Sequence, residues 1–126
     1  MKKVMVFGTF DILHEGHKFL FSEAKKCGEH LIVVVARDSS VLKIKGELPV
    51  NNQSVRISRV DMLGLANTVI LGGKEDFFDI IRRMKPDTVC LGYDQKSFDV
   101  EIAFPEIEFI RIQAFKPDVY KSSLLK

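Results

Sequence analysis

At 126 residues, 46% of them hydrophobic, the chain is long enough to bury one core and is expected to form a single domain over residues 1–126. Its 19 basic and 17 acidic residues nearly cancel to a net charge of +2, which removes the bulk electrostatic case for nucleic-acid binding and suits a small anionic ligand held locally. The two cysteines have neither metal-ligand spacing nor the density of a secreted disulfide scaffold, and no apolar segment approaches the roughly 20 residues of a membrane span, so a soluble cytoplasmic protein with reduced thiols and no membrane partner is expected.

Residues 4–7 form a short apolar run that predicts a buried strand, broken at Gly8 by a polar turn that leads into a helical pattern from about Glu15. Apolar residues at 20, 24 and 27, with Phe19 and Phe21 beside them, predict an amphipathic helix that Gly28 stops. The β-branched run 30–36 lacks polar alternation, as in a strand covered on both faces. Residues 37–50 have weak periodicity and read as a mobile loop, with room for one helical turn, carrying Lys43, Lys45 and Gly46.

From Asn51 or Asn52, either of which can cap, a helix is predicted to residue 66, with Val55, Ile57, Val60 and Leu63 near one face and Arg56 and Arg59 on the polar side. Residues 68–71 and 88–91 read as strands, and 76–84 between them as a helix ended by Pro86. A polar turn, Gly92-Tyr93-Asp94-Gln95, follows the fourth strand. Residues 97–106 are ambiguous, with a short helix up to Pro105 as one option, 108–112 read as a fifth strand, and Ser122 caps a last helix that the sequence ends within.

This alternation predicts an α/β fold: a five-stranded, mainly parallel sheet with helices on both faces and the first strand central. In such a sheet the turn after the first strand lies at the carboxyl edge, where the N–H groups and positive dipole end of the next helix favour phosphate. His14 and His17 stand at that entrance. Two histidines at i and i+3 could be a zinc pair or ordinary capping residues. His30 lies at the other end of the crossover and neither cysteine is near, so no third ligand is available and no metal site is assigned to the protein. The glycine patterns of dinucleotide-binding and P-loop folds are missing.

The stretch Gly8-Thr9-Phe10-Asp11-Ile12-Leu13-His14-Glu15-Gly16-His17 resembles the signature of the cytidylyltransferase-like nucleotidyltransferases, built on Gly-Thr-Phe-Asp and His-x-Gly-His. Likeness continues in Lys43 or Lys45 after the second strand, Arg56 in the next long helix, Gly92-x-Asp94 after the fourth strand, and Ser122 and Ser123 at the start of the last helix. Lys121 departs from the pattern, standing where the family's first serine is expected, and Lys116 stands where many relatives have arginine. Among the family's short members, Leu91-Gly-Tyr-Asp-Gln95 looks more like the archaeal-type FAD synthases than the glycerol-3-phosphate cytidylyltransferases.

The resemblance implies a Rossmann-like fold and an enzyme in which a phosphate monoester attacks the α-phosphorus of a nucleoside triphosphate and releases pyrophosphate. It implies catalytic roles for His14, His17 and Lys45. Nucleotide contacts would come from Thr9, Phe10, His14, Glu15, Gly16, His17, Asp94, Tyr120, Ser122 and Ser123, and phosphate or substrate contacts from Asp11, Lys43 and Arg56. Mg²⁺ or another divalent cation would be bound with the nucleotide. ATP and FMN are the first-ranked substrates, CTP and glycerol 3-phosphate the second, and a nonenzymatic nucleotide-binding module the third reading. An FMN ring needs an apolar wall, for which Tyr93, Phe98, Phe104 and Tyr120 are candidates. Related enzymes are commonly dimers, which makes a homodimer the assembly implied.

Overall fold

The structure, a computed structural model, describes residues 1–73, 77–92 and 100–113. Five strands, β1 (Lys3–Gly8), β2 (His30–Val35), β3 (Thr68–Leu71), β4 (Thr88–Leu91) and β5 (Glu108–Arg111), form one sheet in the order β3-β2-β1-β4-β5. Every neighbouring pair is parallel, so the sheet is wholly rather than mainly parallel and β1 is its centre. Helices α1 (Glu15–Lys25), α2 (Asp38–Lys45), α3 (Gln53–Met62), α4 (Phe77–Met84) and α5 (Val100–Ala103) connect the strands.

Successive side chains of a strand point to opposite faces, and here both faces are apolar. Val4, Val6, Leu31, Val33, Val35 and Cys90 meet Phe21 and Ala24 of α1 and Val60 of α3. On the other face Met5, Phe7, Ile32, Val34, Val89 and Leu91 meet Ile80 and Ile81 of α4, Val100 of α5 and Phe104. Burying each of the Val, Leu, Ile, Met and Phe side chains contributes about 1.5–3 kcal/mol, so a charge placed in β1 or β2 would disrupt the layer that its side chain faces. The β1–β2 register runs from Lys3↔His30 to Gly8↔Val35, which makes the two strands end level. Their exits, with that of β4, therefore open on one carboxyl edge.

Several expectations need correction. Residues 38–45 are not a loop but the helix α2, with Asp38 in its first turn, Lys43 and Lys45 in its last, and Gly46 closing it at φ 81°. Only Val41 of α2 is buried, so the helix leaves almost no periodic apolar signal. Gly28 is not the stop of α1, whose last turn closes on right-handed Lys26. A Cβ at Gly28 would lie 2.8 Å from the Lys2 carbonyl oxygen, so close approach to β1 explains the glycine. The cap of α3 is Asn52, whose side chain accepts from Val55 N–H at 3.0 Å. In the ambiguous stretch 97–106, the described part holds the single turn α5.

Candidate active site

The turn after β1 delivers His14 as the N-cap of α1, in extended backbone, and His17 as its third helical residue. Each closes the other's end of the cap: His14 Nδ1 accepts from Gly16 N–H at 3.1 Å, and His17 Nδ1 accepts from His14 N–H at 3.3 Å. Such a reciprocal box is usually built from Ser or Thr with Glu; here two imidazoles do it. Because both Nδ1 atoms are acceptors, the neutral rings carry their proton on Nε2. The rings stack at 3.9 Å. Burial, and secondarily the adjacent His14, push the His17 pKa down to about 4, and burial lowers that of His14.

The residues around them are fixed by packing. Phe10 is buried at a positive φ of 54°, and its ring meets His17 edge-on at 5.4 Å and Phe21 at 5.2 Å. Gly8 must be small there, since a Cβ would come within 2.5 Å of the Phe10 ring. Gly16 supplies the N–H that His14 holds, and Glu15 is exposed and pairs with Lys18 at 3.2 Å.

Arg56 does not lie on a solvated face of α3: its side chain is fully buried. Its guanidinium donates from Nη1 to Thr9 O at 2.8 Å, from Nε to Asn51 O at 3.0 Å and from Nη2 to Asp38 Oδ1 at 2.6 Å. Asp11 likewise spends its carboxylate inside the protein, accepting from Val50 N–H at 2.7 Å and Asn51 N–H at 2.8 Å. Burial alone would raise the Asp11 pKa, but these bonds, the Asn51 side chain and the Arg56 charge outweigh it and hold the carboxyl below its ordinary value. Thus Arg56 and Asp11, expected to touch phosphate or substrate, are bonded in the described structure to protein groups: Arg56 to Thr9, Asn51 and Asp38, and Asp11 to Val50 and Asn51 just before α3.

Lys43 and Lys45 are exposed on the last turn of α2. That helix is fastened to α3 by a reciprocal pair, Gln53 Oε1 accepting from Asp38 N–H at 2.9 Å and Asp38 Oδ2 accepting from Gln53 N–H at 3.2 Å. Asp38, Asn51 and Gln53 escape sequence reasoning because short polar residues at helix starts pass for local caps. Asp94, Tyr120, Ser122 and Ser123 lie outside the described residues, as do Tyr93, Phe98, Lys116 and Lys121. Phe104 is no ligand wall: it is buried, edge-on to Phe78 at 5.6 Å.

His30, at the amino-terminal start of β2, bonds Thr68 Oγ1 at 2.8 Å and is remote from the histidine pair. Among the described residues no three His, Cys, Asp or Glu side chains converge to hold a metal ion. No helix among the described residues is long and apolar enough to cross a membrane.

Neutral N–H donors and a helix start at the carboxyl edge of a parallel sheet are suited to a polyphosphate. Comparisons with known proteins agree with this geometry. The model of a family described as cytidylyltransferase-like matches residues 5–123. FAD synthase of Methanosarcina mazei is 44% identical over 108 residues, covering 85% of this chain and 69% of that protein. FAD synthase of Aciduliprofundum boonei is 43% identical over 102 residues, covering 81% of this chain and 68% of that protein. Among solved structures, a lipopolysaccharide core biosynthesis protein from Thermoplasma volcanium has a TM-score of 0.84 at 35% identity, covering 92% of this chain and 99% of that one.

Proposed function

We infer, from the fact that this chain belongs to the cytidylyltransferase-like family, that it is a nucleotidyltransferase joining AMP from ATP to FMN to give FAD and pyrophosphate. A phosphate oxygen of FMN attacks the α-phosphorus of ATP; the bond from that phosphorus to the bridging oxygen breaks, and pyrophosphate leaves with the electron pair. The acceptor's second pKa near 6 leaves it largely ionised at neutral pH, so no protein base is needed. Catalysis then rests on in-line positioning and on donors aimed at phosphate oxygens.

His14 and His17 supply Nε2–H donors, and the start of α1 adds its dipole. Lys45 and Lys43, exposed on the last turn of α2, are the lysines this reading assigns to the triphosphate. A bound Mg²⁺ or other divalent cation would neutralise charge on the phosphates. A cytoplasmic location and a homodimer belong to the same reading.

The carrying observation is the mutual cap of His14 and His17 at the carboxyl edge. The names of the two FAD synthases favour FMN as acceptor. The test is purified protein with Mg²⁺, ATP or CTP, and FMN or glycerol 3-phosphate, followed by separation of products. FAD formed only from ATP and FMN is expected. Efficient CDP-glycerol with no FAD would overturn the substrates, and no pyrophosphate from any pair would overturn the enzyme.

A further inference from the structure

Phe10 adopts a left-handed backbone, which a non-glycine residue keeps only when its surroundings over-determine it. Two side chains grip the carbonyls on either side of it. Thr9 O accepts from Arg56 Nη1 at 2.8 Å, and Asp11 O accepts from Asn51 Nδ2 at 2.8 Å. The grips are joined, because Arg56 Nε donates to Asn51 O at 3.0 Å. Asp11 Oδ1 closes the ring, accepting from Asn51 N–H at 2.8 Å and from Asn51 Nδ2 at 3.1 Å.

Asn51 is not needed to cap α3, since Asn52 does that. Its main-chain N–H, main-chain oxygen and side-chain amide are all committed to the β1–α1 loop and to Arg56. Inside the loop, the Phe10 ring stands edge-on against His17. We propose that Asn51 is a positioning residue for the transfer reaction: with Arg56 it holds Phe10 in its left-handed conformation, so that the Phe10 ring fixes where the His17 imidazole stands.

The proposal rests on the transfer reaction inferred above, and wild-type activity in the same assay separates the two, since an inactive wild type speaks only against that reaction. In an active enzyme, Asn51→Ala removes the Nδ2–H donor and leaves the main chain. It is expected to lower kcat about ten- to hundred-fold while KM for the nucleotide changes less than about three-fold, the pattern of a misplaced group acting in the transition state. The His17 imidazole, followed by NMR, should titrate closer to its ordinary value as its packing loosens. Asn51→Asp also lacks the donor and sets a carboxylate against that of Asp11, so kcat should fall at least as far. A folded variant with wild-type kcat and unchanged His17 titration overturns the proposal. Failure of both variants to fold overturns it as well, by assigning Asn51 to stability alone.

Discussion

His14 and His17 stack at 3.9 Å with their ring planes 30° apart, so a proton on one imidazole opposes a proton on the other. The mutual cap fixes each tautomer, while burial, and for His17 secondarily the adjacent His14, favours the neutral form of both rings.

Stability should follow that neutrality. Folded His17 takes up its proton only near pH 4, whereas in the unfolded chain it does so around 6.5. Between those values the unfolded state binds more protons, so stability rises with pH; the contribution is complete above about 6.5 and is lost as the pH falls toward 4. Urea unfolding of wild type and His17→Asn at several pH values checks this, and the variant should show a flatter slope across the window. Equal slopes would remove His17 as the cause.

Capping and catalysis can be separated at the same residues. Asparagine offers an acceptor near Nδ1, so His14→Asn and His17→Asn should keep the cap, but neither reaches the position of Nε2. Each is expected to lose about 10²- to 10³-fold in turnover, as when one oxyanion donor is removed. Stopped assays of pyrophosphate release, with unfolding midpoints alongside, give both readings. Full activity in a folded variant would leave the histidines with a capping role only.

The two tight glycines should behave differently. Gly8→Ala drives a methyl into the Phe10 ring and so disturbs the side chain beside His17; Gly28→Ala meets the Lys2 carbonyl at the far edge of the sheet. Both are expected to cost about 1–3 kcal/mol by overcrowding. Only Gly8→Ala should also lower kcat at a temperature where both variants are folded. Denaturant melts and turnover of the two proteins decide it.

Lys45 is exposed, so Lys45→Ala should leave the unfolding free energy within about 0.5 kcal/mol of wild type. A charge-assisted contact to phosphate is worth about 1.5–3 kcal/mol, so kcat/KM for the nucleotide should fall roughly ten- to hundred-fold. Steady-state kinetics at varied nucleotide measure the change, and an unaltered kcat/KM would move the role away from this lysine.

Cys27 and Cys90 lie with their sulfurs 4.0 Å apart as free thiols. Burial, then the neighbouring Cys27, pushes the Cys90 pKa up to about 12, and a protonated buried thiol is a poor nucleophile. In the native protein at neutral pH a thiol reagent should therefore modify Cys27 well before Cys90. Mass analysis of labelled peptides tests this; comparable rates at the two sites would mean the core around β4 opens readily.

The sheet and the histidine entrance were legible because they depend on local pattern. Uniform apolar runs at β1, β2 and β4 can be satisfied only by cover on both faces, and a turn after the first strand of a parallel sheet has one edge to occupy. The same holds for His14 and His17, whose spacing and Gly16 neighbour already placed them at a helix start. The burial of Arg56 is not legible, because helical position describes a face without saying what covers it; only folding brings Thr9, Asn51 and Asp38 around its guanidinium. Helix α2 was hidden for a related reason, having one buried apolar residue and being tied instead to α3 through Asp38 and Gln53. The sequence by itself determined the layers and the place of the histidines, since hydrophobic period and glycine spacing are local properties of the chain. Tertiary structure alone decided the hydrogen bonds that hold Thr9, Phe10 and Asp11, because their partners are about forty residues away and no local preference records which polar groups will meet.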